Sequence, residues 1–335
     1  MNVAYSTSDL YSELAATSIA SLLENSKNVD EINIYIIDIG ISEKHRQDLL
    51  DLATTYGRYL EFLEDLNVED IVHTKINVGR WHISTFSRLF LLHVLPEGLD
   101  KVIYIDCDMI IRHSLKTLWE MDMEGAWCMS VDDCRGKMYR KDIGIPVSSI
   151  YTNNGLMIID LEAWRRNDVE NKFVDFINEY HGDITYMDQG VLNGVFQPLE
   201  KVKLLPISYN AQTVCYDLGY DGLQACRKPV WAYTREEFEK GITDPTVVHF
   251  TTCFMSGTRP WFKVDHHPYR KEFLKYRSLT AWRDAPLWDD KTPSKKKLMT
   301  KISQILPKPI TYGIIHVVHV WAYPIARNIK TKLKK

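Results

Sequence analysis

Short apolar runs alternate with helical patterns along most of this 335-residue chain. Eight runs contain the β-branched and aromatic residues that favour strands, and they lie at 3–6, 32–38, 59–63, 101–106, 126–132, 156–160, 202–205 and 247–250. Three other segments repeat apolar residues at helical spacing, at 13–25, 42–56 and 162–180. Strands that alternate with helices build a mostly parallel sheet with helices on both faces. The pattern therefore predicts an α/β fold.

Polar residues stand at the ends of several predicted strands. Asp9 follows the first run, Asp132 ends the fifth, and His249 lies near the end of the eighth. In an open parallel sheet, ligands bind beyond the carboxyl ends of the strands. We therefore expect a binding site at this edge. For His249 alone, a strand-end histidine bonded to the backbone is an equally good interpretation.

Two carboxylates, Asp106 and Asp108, interrupt the apolar run 101–111. Burying such groups without a partner is costly, so a basic residue, several backbone donors or a divalent cation must compensate. Residues one apart on a strand point to opposite faces, so the chain must turn or bulge if both bind one ion. The alternative is a strand end whose aspartates cap a helix or pair with Arg112.

The net charge of −3 hides a strong asymmetry. From Lys291 onward there are eleven Lys and Arg residues and no Asp or Glu, so the first 290 residues carry a net charge of −14. An acidic body argues against nucleic acid as the main ligand, because binding to a phosphate backbone requires basic surface. The two regions are expected to have different partners.

Several common motifs are missing from the sequence. No Gly-x-Gly-x-x-Gly follows the first predicted strand, and no Gly-x-x-x-x-Gly-Lys occurs, which disfavours a classical dinucleotide fold and a P-loop. The six cysteines form no Cys-x-x-Cys pair, so free thiols are expected. Residues 2–6 are typical of a strand rather than a signal peptide, which predicts a cytoplasmic protein.

The basic C-terminal region contains an apolar, aromatic segment at 310–326. It includes His316, His319 and Pro324 and is shorter than the roughly 20 residues that span a bilayer. Flanking lysines favour a helix that lies on an anionic membrane surface. The alternative is a helix docked on the body of the protein or a subunit contact. The residues predicted on the apolar side are Ile314, Ile315, Val318, Trp321 and Ile325.

Six short motifs occur in a fixed order at 7–11 (TSDLY), 82–88 (HISTFSR), 106–108 (DCD), 151–155 (YTNNG), 186–190 (YMDQG) and 248–250 (VHF). Each is weak alone, but six in order are a strong signal. Together they resemble glycosyltransferase family 8, in particular its bacterial lipopolysaccharide galactosyl- and glucosyltransferases, with glycogenin more distant. The resemblance covers about residues 1–265 and implies one Rossmann-like, nucleotide-sugar-binding domain of the GT-A type.

The resemblance implies a role for each motif in binding a UDP-sugar and a divalent metal. Tyr11 would stack on uracil, and Arg259 stands where the family usually has a lysine that contacts the diphosphate. The metal ligands would be Asp106, Asp108 and His249. The residues implied to bind the donor nucleotide are Thr7, Ser8, Asp9, Tyr11, Asp106, Cys107, Asp108, Gly257 and Arg259.

Other motif residues are implied to act on the sugars. Of these, His82 and Tyr186 would line the acceptor side, and Trp81 and Trp261 are further candidates for stacking against an acceptor. The residues implied to hold or activate the donor sugar are Arg88, Asp132, Asn153, Asp188 and Gln189.

These residues are compatible with more than one mechanism. Gln189 is a poor nucleophile, so Asp188 is the stronger candidate to orient the sugar, stabilise its positive charge or attack transiently. Front-face substitution assisted by the leaving phosphate needs no enzyme nucleophile. The same two residues are also typical of the first turn of a helix. Retention of configuration is implied by the family resemblance.

The sequence thus predicts a retaining hexosyltransferase that uses UDP-galactose or UDP-glucose and Mn²⁺, with Mg²⁺ second because an imidazole ligand suits it less well. The acceptor would be a saccharide of a cell-surface glycan, a lipid-linked glycan or a glycoprotein glycan. The expected division is a transferase domain at 1–265, a connecting segment at 266–291 and a tail at 292–335 on the inner face of the plasma membrane. The competing hypotheses are a non-catalytic sugar-binding scaffold and a metal-dependent nucleotidyltransferase or hydrolase.

Overall fold

The computed structural model describes residues 1–79, 82–253, 255 and 259–322. Strands within these residues form two sheets. The strands are β1 Asn2–Thr7, β2 Asn33–Asp38, β3 Tyr59–Glu64, β4 Lys101–Ile105, β5 Met109–Ile111, β6 Cys128–Asp132, β7 Thr152–Asp160, β8 Val202–Leu204, β9 Ala211–Gln212 and β10 Val247–His249.

Helices connect most of these strands. The α-helices in the described residues are α1 Ser12–Asn25, α2 Glu43–Thr55, α3 Val68–Val72, α4 Leu91–Val94, α5 Lys116–Trp119, α6 Lys137–Asp142, α7 Leu161–Arg166, α8 Val169–Glu179, α9 Met187–Phe196, α10 Thr213–Arg227, α11 Arg235–Thr243, α12 Arg270–Arg277, α13 Ser294–Ile305 and α14 Lys308–His316. Short 3-10 helices occupy Asp9–Tyr11, Ile83–Leu89 and Ile207–Tyr209, and a π-helical segment occupies Val317–Ala322.

The larger sheet has the strand order β3-β2-β1-β4-β7-β6-β8. β7 runs antiparallel to both of its neighbours, and the other pairs are parallel. Side chains alternate between two hydrophobic cores, since Val3 and Tyr5 belong to one core and Ala4 to the other. The predicted α/β fold, with a mostly parallel sheet covered on both faces, is confirmed.

A second, small sheet consists of β5, β10 and β9. β10 pairs antiparallel with β5 and parallel with β9. The run at 247–250 was expected in the main sheet, and that expectation was wrong because its hydrogen-bonding partner is the short strand that follows Asp108. β4 belongs to the main sheet and β5 to the small one, so the chain turns between them, as two aspartates serving one ion require.

The predicted helix at 162–180 is two helices, α7 and α8. Between them Asp168 has a φ of 51°, in the left-handed region. Aspartate tolerates this conformation because its side chain can bond locally, and both carboxylate oxygens accept from Asn171 Nδ2, at 2.9 and 3.0 Å. Apolar periodicity continues across the break, which is why the sequence did not reveal it.

The C-terminal region begins with α13 and continues through α14 and the π-helical segment. Leu306 is extended, with a ψ of 147°, because the following Pro307 disfavours a helical residue before it. α14 packs against α10, and Ile315 is buried in the main core. The prediction that Ile315 lies on a free apolar face was therefore wrong. The side chain of Trp321 and all of Ile325 lie outside the described residues.

Among the described residues, no helix combines the length and apolar character needed to cross a membrane.

Candidate active site

The turn between β4 and β5 brings two carboxylates next to an imidazole. β4 ends at Ile105 and β5 begins at Met109, so Asp106 and Asp108 lie in the turn. His249 ends β10 and is paired with Met109 across the small sheet. One potential ligand atom from each of the three residues lies within 4.8 Å of the others. This Asp–Asp–His cluster could hold a metal ion.

Asn210 orients the ring of His249. The Nδ1 atom of His249 lies 3.0 Å from Asn210 Oδ1, while Asn210 Nδ2 donates to Asn153 Oδ1 at 2.8 Å. The Asn210 oxygen therefore accepts from Nδ1, which leaves Nε2 facing Asp108 Oδ1 at 3.1 Å and Asp106 Oδ2 at 3.9 Å. A histidine ligand whose second nitrogen is held by an outer group is the usual arrangement at metal sites, so these residues fit a divalent cation.

The charges of the cluster influence one another strongly. Burial raises the pKa of Asp106, and the guanidinium of Arg88 opposes this rise. Burial also acts to raise the pKa of Asp108, but His249 brings it below its ordinary value. Burial acts to lower the pKa of His249, yet attraction to Asp108 raises it. The cluster therefore favours a positive charge at its centre.

Arg88 connects this cluster to a further carboxylate. Its Nη2 lies 2.9 Å from Asp106 Oδ1, and its Nε lies 3.3 Å from Asp188 Oδ2. The guanidinium also lies over the ring of Tyr104, with 4.6 Å between its carbon and the ring centroid. Burial acts to lower the pKa of Arg88, but Asp106 raises it well above the ordinary value. Arg88 thus places a fixed positive charge between two carboxylates.

Asp188 lies in the first turn of α9. The two preceding residues, Tyr186 and Met187, have φ angles of 61° and 52°, a left-handed conformation that is costly for side chains of this size. Asp188 Oδ2 accepts a hydrogen bond from Asn154 Nδ2 at 3.1 Å. Burial raises the pKa of Asp188, against the attraction of Arg88. The strained turn therefore leads into a carboxylate that is held by two neighbours.

Both ends of the Gln189 amide are hydrogen bonded. Its oxygen accepts from Asn153 Nδ2 at 3.2 Å, and its nitrogen donates to Asp133 Oδ2 at 2.9 Å. The same Asp133 oxygen accepts from Arg135 Nε at 2.6 Å. A continuous series of hydrogen bonds therefore runs from His249 through Asn210, Asn153 and Gln189 to Asp133. These bonds fix the orientation of the Gln189 amide, with its oxygen toward Asn153 and its nitrogen toward Asp133.

Asp132 was predicted in this part of the site, but Asp133 makes the contact with Gln189. Asp132 is buried, and its Oδ2 accepts from the backbone nitrogen of Cys134 at 3.3 Å. Its backbone nitrogen bonds to the hydroxyl of Tyr233 at 3.1 Å, and Arg140 Nη2 lies 4.0 Å from Oδ1. Asp132 ends β6 and Asp133 follows it directly, so sequence position alone could not show which of the two contacts Gln189.

The end of β1 lies beside the cluster. Thr7 closes this strand and is buried, and Ser8 follows it with a carbonyl that accepts from the backbone nitrogen of Tyr11 at 3.0 Å. The thiol of Cys107 donates to the carbonyl of Ser6 at 3.3 Å. The turn at 106–108 therefore lies next to residues 7–11, the predicted nucleoside-binding segment, which is called the nucleoside turn below.

Asp9 and Tyr11 occupy the 3-10 helix that follows β1. Asp9 Oδ1 lies 2.7 Å from His45 Nδ1 and accepts from the backbone nitrogen of Ser42 at 2.9 Å. Hydrogen bonds from Ser42 lower the pKa of Asp9. Tyr11 retains 36% of its surface exposed, so one part of its ring remains available to a ligand.

The two predicted acceptor residues differ in surroundings. His82 is exposed and caps the 3-10 helix that carries Arg88, with its Nδ1 2.8 Å from Ser84 Oγ. The hydroxyl of Tyr186 accepts from Arg135 Nη1 at 3.1 Å, and the Arg135 guanidinium lies over the Tyr186 ring at 4.6 Å. Tyr186 is thereby tied to the same arginine that holds Asp133.

Arg259, which stands in place of the usual lysine, lies beside the cluster. Its Nη1 lies 3.5 Å from Asp108 Oδ2, and its guanidinium lies over Trp261 at 4.5 Å. Trp261 is completely buried, so the hypothesis that it stacks against an acceptor was wrong. The predicted residues Gly257 and Trp81 lie outside the described residues.

A comparison with known protein families decides the identity of this arrangement. The sequence model described as "Glycosyl transferase family 8" matches residues 2–265, which is most of the chain. The chain belongs to glycosyltransferase family 8. It is therefore a glycosyltransferase, an enzyme class that takes a nucleotide-sugar donor and a saccharide acceptor, and the predicted family is confirmed.

Curated relatives agree with membership of family 8. General stress protein A of Bacillus subtilis (strain 168) is 28% identical over 287 residues, which cover 84% of this chain and 94% of that protein. A lipopolysaccharide 1,2-glucosyltransferase of Escherichia coli is 25% identical over 293 residues, covering 85% of this chain and 80% of that one.

Solved structures agree with the family 8 fold. The galactosyltransferase LgtC, in complex with donor and acceptor sugar analogues, superposes with a TM-score of 0.71 at 24% identity. The superposition covers 85% of this chain and 99% of that structure. At this identity the likeness establishes the fold, which confirms the predicted GT-A architecture.

Four residues of this family 8 site were not assigned by sequence reasoning: Asn154, Asp133, Arg135 and Asn210. The first two are adjacent to predicted residues, so a strand-end cluster was the available signal. Asn210 has no such signal, because it lies 39 residues before His249 and outside every motif. Only the pairing of β9 with β10 brings it to the histidine.

Proposed function

We propose that this family 8 member is a retaining, metal-dependent hexosyltransferase. The donor is UDP-galactose or UDP-glucose, and the acceptor is a saccharide of a cell-surface glycan, a lipid-linked glycan or a glycoprotein glycan. One observation carries the proposal: Arg88 bridges Asp106 of the Asp–Asp–His cluster to the buried Asp188. A hexose donor is supported by relatives and structures described as glucosyl- and galactosyltransferases.

The proposed metal is Mn²⁺, with Mg²⁺ as the second choice. Asp106, Asp108 and His249 would hold it, and a mixed carboxylate and imidazole set suits Mn²⁺ better than Mg²⁺. When bound, such an ion offsets the negative charge that a leaving diphosphate gains. Arg88 and Arg259 add positive charge beside the same carboxylates without a labile proton.

The donor sugar would be oriented by Asn153, Asp188 and Gln189. The Oδ2 atom of Asp188 already forms an ion pair with Arg88 and accepts a hydrogen bond from Asn154, which reduces its nucleophilicity. The oxygen of Gln189 is likewise engaged by Asn153. These bonds support orientation of the sugar and front-face substitution over a covalent intermediate on either side chain.

The remaining motif residues would bind the uridine of the donor and the acceptor. Thr7, Ser8, Asp9 and Tyr11 would bind uridine, with Cys107 close to the nucleotide. His82 and Tyr186 would contact the acceptor, and the bond between Tyr186 and Arg135 supports a fixed position for that ring.

We also propose that the tail at 292–335 binds an anionic membrane surface, which would place the transferase domain at the inner face of the plasma membrane. Residues 1–265 would form the transferase domain, and residues 266–291 would connect it to the tail. Exposed apolar residues on the tail support this: Leu298, Met299, Ile302, Ile305, Ile310, Ile314, Val317 and Val318. Lysines at 295, 296, 297, 301 and 308 accompany them. Apolar surface beside lysines is typical of peripheral membrane binding.

The decisive experiment measures products released from UDP-galactose and UDP-glucose, with a generic saccharide acceptor, in Mn²⁺ and in chelator. We expect release of UDP from one donor in Mn²⁺ only. Asp108→Asn should lower the rate at least about 100-fold, because it removes one of three ligands. Asp175→Asn, on the exposed side of α8, serves as the matched control and should retain the wild-type rate.

The alternatives give different results in the same assay. Sugar phosphate or pyrophosphate as the product would indicate a nucleotidyltransferase or hydrolase. A folded protein with neither UDP binding nor release would indicate a non-catalytic scaffold and would refute the proposed function.

A further inference from the structure

Trp288 lies against the predicted uracil-stacking residue. Its ring centroid is 6.1 Å from that of Tyr11, and the two planes meet at 77°, an edge-to-face contact. On its other sides the Trp288 ring contacts Trp261 at 6.2 Å and Phe262 at 6.1 Å. Trp288 therefore touches both the nucleoside turn and the segment that follows Arg259.

Backbone bonds fix Trp288 in this place. Its nitrogen donates to the carbonyl of Trp261 at 2.8 Å, and its carbonyl accepts from Lys263 at 3.0 Å. These two bonds do not depend on the indole ring. A substitution of the side chain should therefore leave the path of the chain near Arg259 intact.

Glu13 ties the nucleoside turn to the same segment. It is the second residue of α1, two residues after Tyr11, and it is buried. One carboxylate oxygen accepts from Trp288 Nε1 at 2.7 Å, and the other accepts from Arg277 Nε at 2.5 Å. Arg277 Nη2 also donates to the carbonyl of Ala285 at 2.7 Å. A buried ion pair contributes little net stability, but its bonds define geometry.

A second tryptophan, Trp282, is linked to Asp9 of the nucleoside turn through His45. Trp282 lies against the ring of His45, with 5.0 Å between the centroids. His45 in turn is 2.7 Å from Asp9. Residues 277–288 thus contact the nucleoside turn directly at Tyr11 and reach Asp9 through His45. They lie beyond the part of the chain that matches family 8, which ends at residue 265.

We infer that Trp288 is a positioning residue for the base of the donor, and that residues 277–288 form the outer support of the nucleoside site. The ligand class is a pyrimidine nucleoside diphosphate, so the inference rests on the proposed function. Fixing Tyr11 before binding removes an entropic cost that a mobile ring would incur on stacking. The segment at 266–291 is then part of the donor site and more than a connection to the tail.

The test uses the full chain with Trp288→Leu and Trp288→Phe. Leucine removes the ring contact and the bond to Glu13, whereas phenylalanine removes only the bond. We expect the dissociation constant of UDP in Mn²⁺ to rise about tenfold for Trp288→Leu and about threefold for Trp288→Phe, as loss of an aromatic contact and of a charged hydrogen bond suggests. Binding of inorganic pyrophosphate should stay within about twofold of wild type, since it does not use the base.

Trp231→Leu is the matched control. Trp231 stacks on Tyr220 at 4.2 Å and donates to Gln224, so its loss removes a comparable ring and bond away from Tyr11. We expect its UDP affinity to stay at the wild-type value. Calorimetric titrations report both ligands, and circular dichroism reports folding.

Each outcome decides the inference. Unchanged UDP affinity in folded Trp288→Leu overturns it, as does an equal loss of UDP and pyrophosphate binding, which indicates a general structural role. If the leucine variant does not fold, the phenylalanine variant decides by the same comparison. A wild-type protein that binds no UDP overturns the proposed function and the inference with it. If the enzyme transfers sugar and both Trp288 variants bind UDP with wild-type affinity, the inference alone is overturned.

Discussion

Two adjacent aspartates of this site carry charge differently because their surroundings differ. Burial raises the pKa of Asp132 to about 7, in spite of the nearby Arg140. Burial acts in the same direction on Asp133, but Arg135 lowers the pKa of Asp133 below its ordinary value. Asp133 is thus the permanent anion that faces Gln189, and Asp132 is a group that the fold prefers to protonate.

This difference predicts how stability depends on pH. The pKa of Asp132 is about 7 in the folded protein and 3.8 when unperturbed, so between these values the folded state binds more protons. The contribution of Asp132 to the free energy of unfolding must then fall as pH rises from about 4 to 7. We expect urea unfolding at pH 5 to 8 to show a stability advantage of Asp132→Asn over wild type that grows with pH.

The control for this experiment is Asp175→Asn, whose stability should follow the wild-type curve at every pH. A constant difference between Asp132→Asn and wild type would contradict the prediction.

Single residues could be predicted where chemistry restricts them. The pair Asp106 and Asp108 was recognisable because carboxylates are rare within an apolar strand pattern. Asn210 was not, because an amide that orients a distant histidine leaves no local pattern.

At the scale of elements, the packing of β7 against the small sheet explains a glycine. A Cβ on Gly155 would lie 2.6 Å from Met109 Cε and 2.8 Å from His249 Nδ1, closer than carbon and nitrogen can approach. The strand therefore passes directly behind a proposed metal ligand. Only glycine allows this approach without moving the imidazole or the methionine.

Gly155→Ala should consequently weaken metal binding in a protein that still folds. Crowding of this kind costs about 1–3 kcal/mol, so we expect the dissociation constant of Mn²⁺, measured by electron paramagnetic resonance, to rise about tenfold or more. Gly313→Ala is the control, because nothing lies within 4 Å of its added methyl group. Equal Mn²⁺ affinity in both variants would show that His249 does not depend on this contact.

Helix α11 offers a prediction about stability alone. Thr234 caps it, since its Oγ1 accepts from the backbone nitrogen of Glu237 at 3.2 Å while the Glu237 carboxylate accepts from the backbone nitrogen of Thr234 at 2.7 Å. We expect Thr234→Ala to lower the free energy of unfolding by about 1 kcal/mol in urea titrations. Thr234→Ser should remain near wild type, and a serine variant as unstable as the alanine variant would rule out the cap as the cause.

Elements were predictable from apolar periodicity except where tertiary contacts decided. The run at 247–250 was recognised as a strand, but an apolar run does not specify its partner, and β10 joined the small sheet. The break at Asp168 was hidden because apolar residues continue at helical spacing on both sides of it.

At the scale of the whole molecule, the distribution of charge distinguishes the tail from the body. The tail presents lysines and exposed apolar side chains, yet α14 is also anchored on α10 through Ile315 and Tyr312. The interpretation as a helix docked on the body is therefore correct for α14, and the membrane interpretation stays a prediction. The apolar pattern could not separate the buried residues from the exposed ones, because adjacent positions on α14 face opposite environments.

Membrane binding should depend on the exposed apolar residues of the tail. We expect replacement of three of them by glutamine to reduce binding to anionic liposomes at least about fivefold in sedimentation assays, since each loses burial in the bilayer interface. UDP affinity should not change. The three residues are Leu298, Ile302 and Ile314.

A matched variant replaces three exposed apolar residues of the body instead. It should bind liposomes as wild type does, and equal binding by both triple variants would refute the membrane role of the tail. The body residues are Val147, Leu199 and Val264.

The ligands of the proposed metal site are far apart in the sequence, so the ribosome adds them to the chain at different times. His249 is synthesised 141 residues after Asp108, and the Arg277–Glu13 pair joins residues 264 positions apart. A nascent chain already holds both carboxylates while its imidazole has not yet been translated. A message that ends before residue 249 therefore yields a polypeptide that lacks one of the three proposed metal ligands.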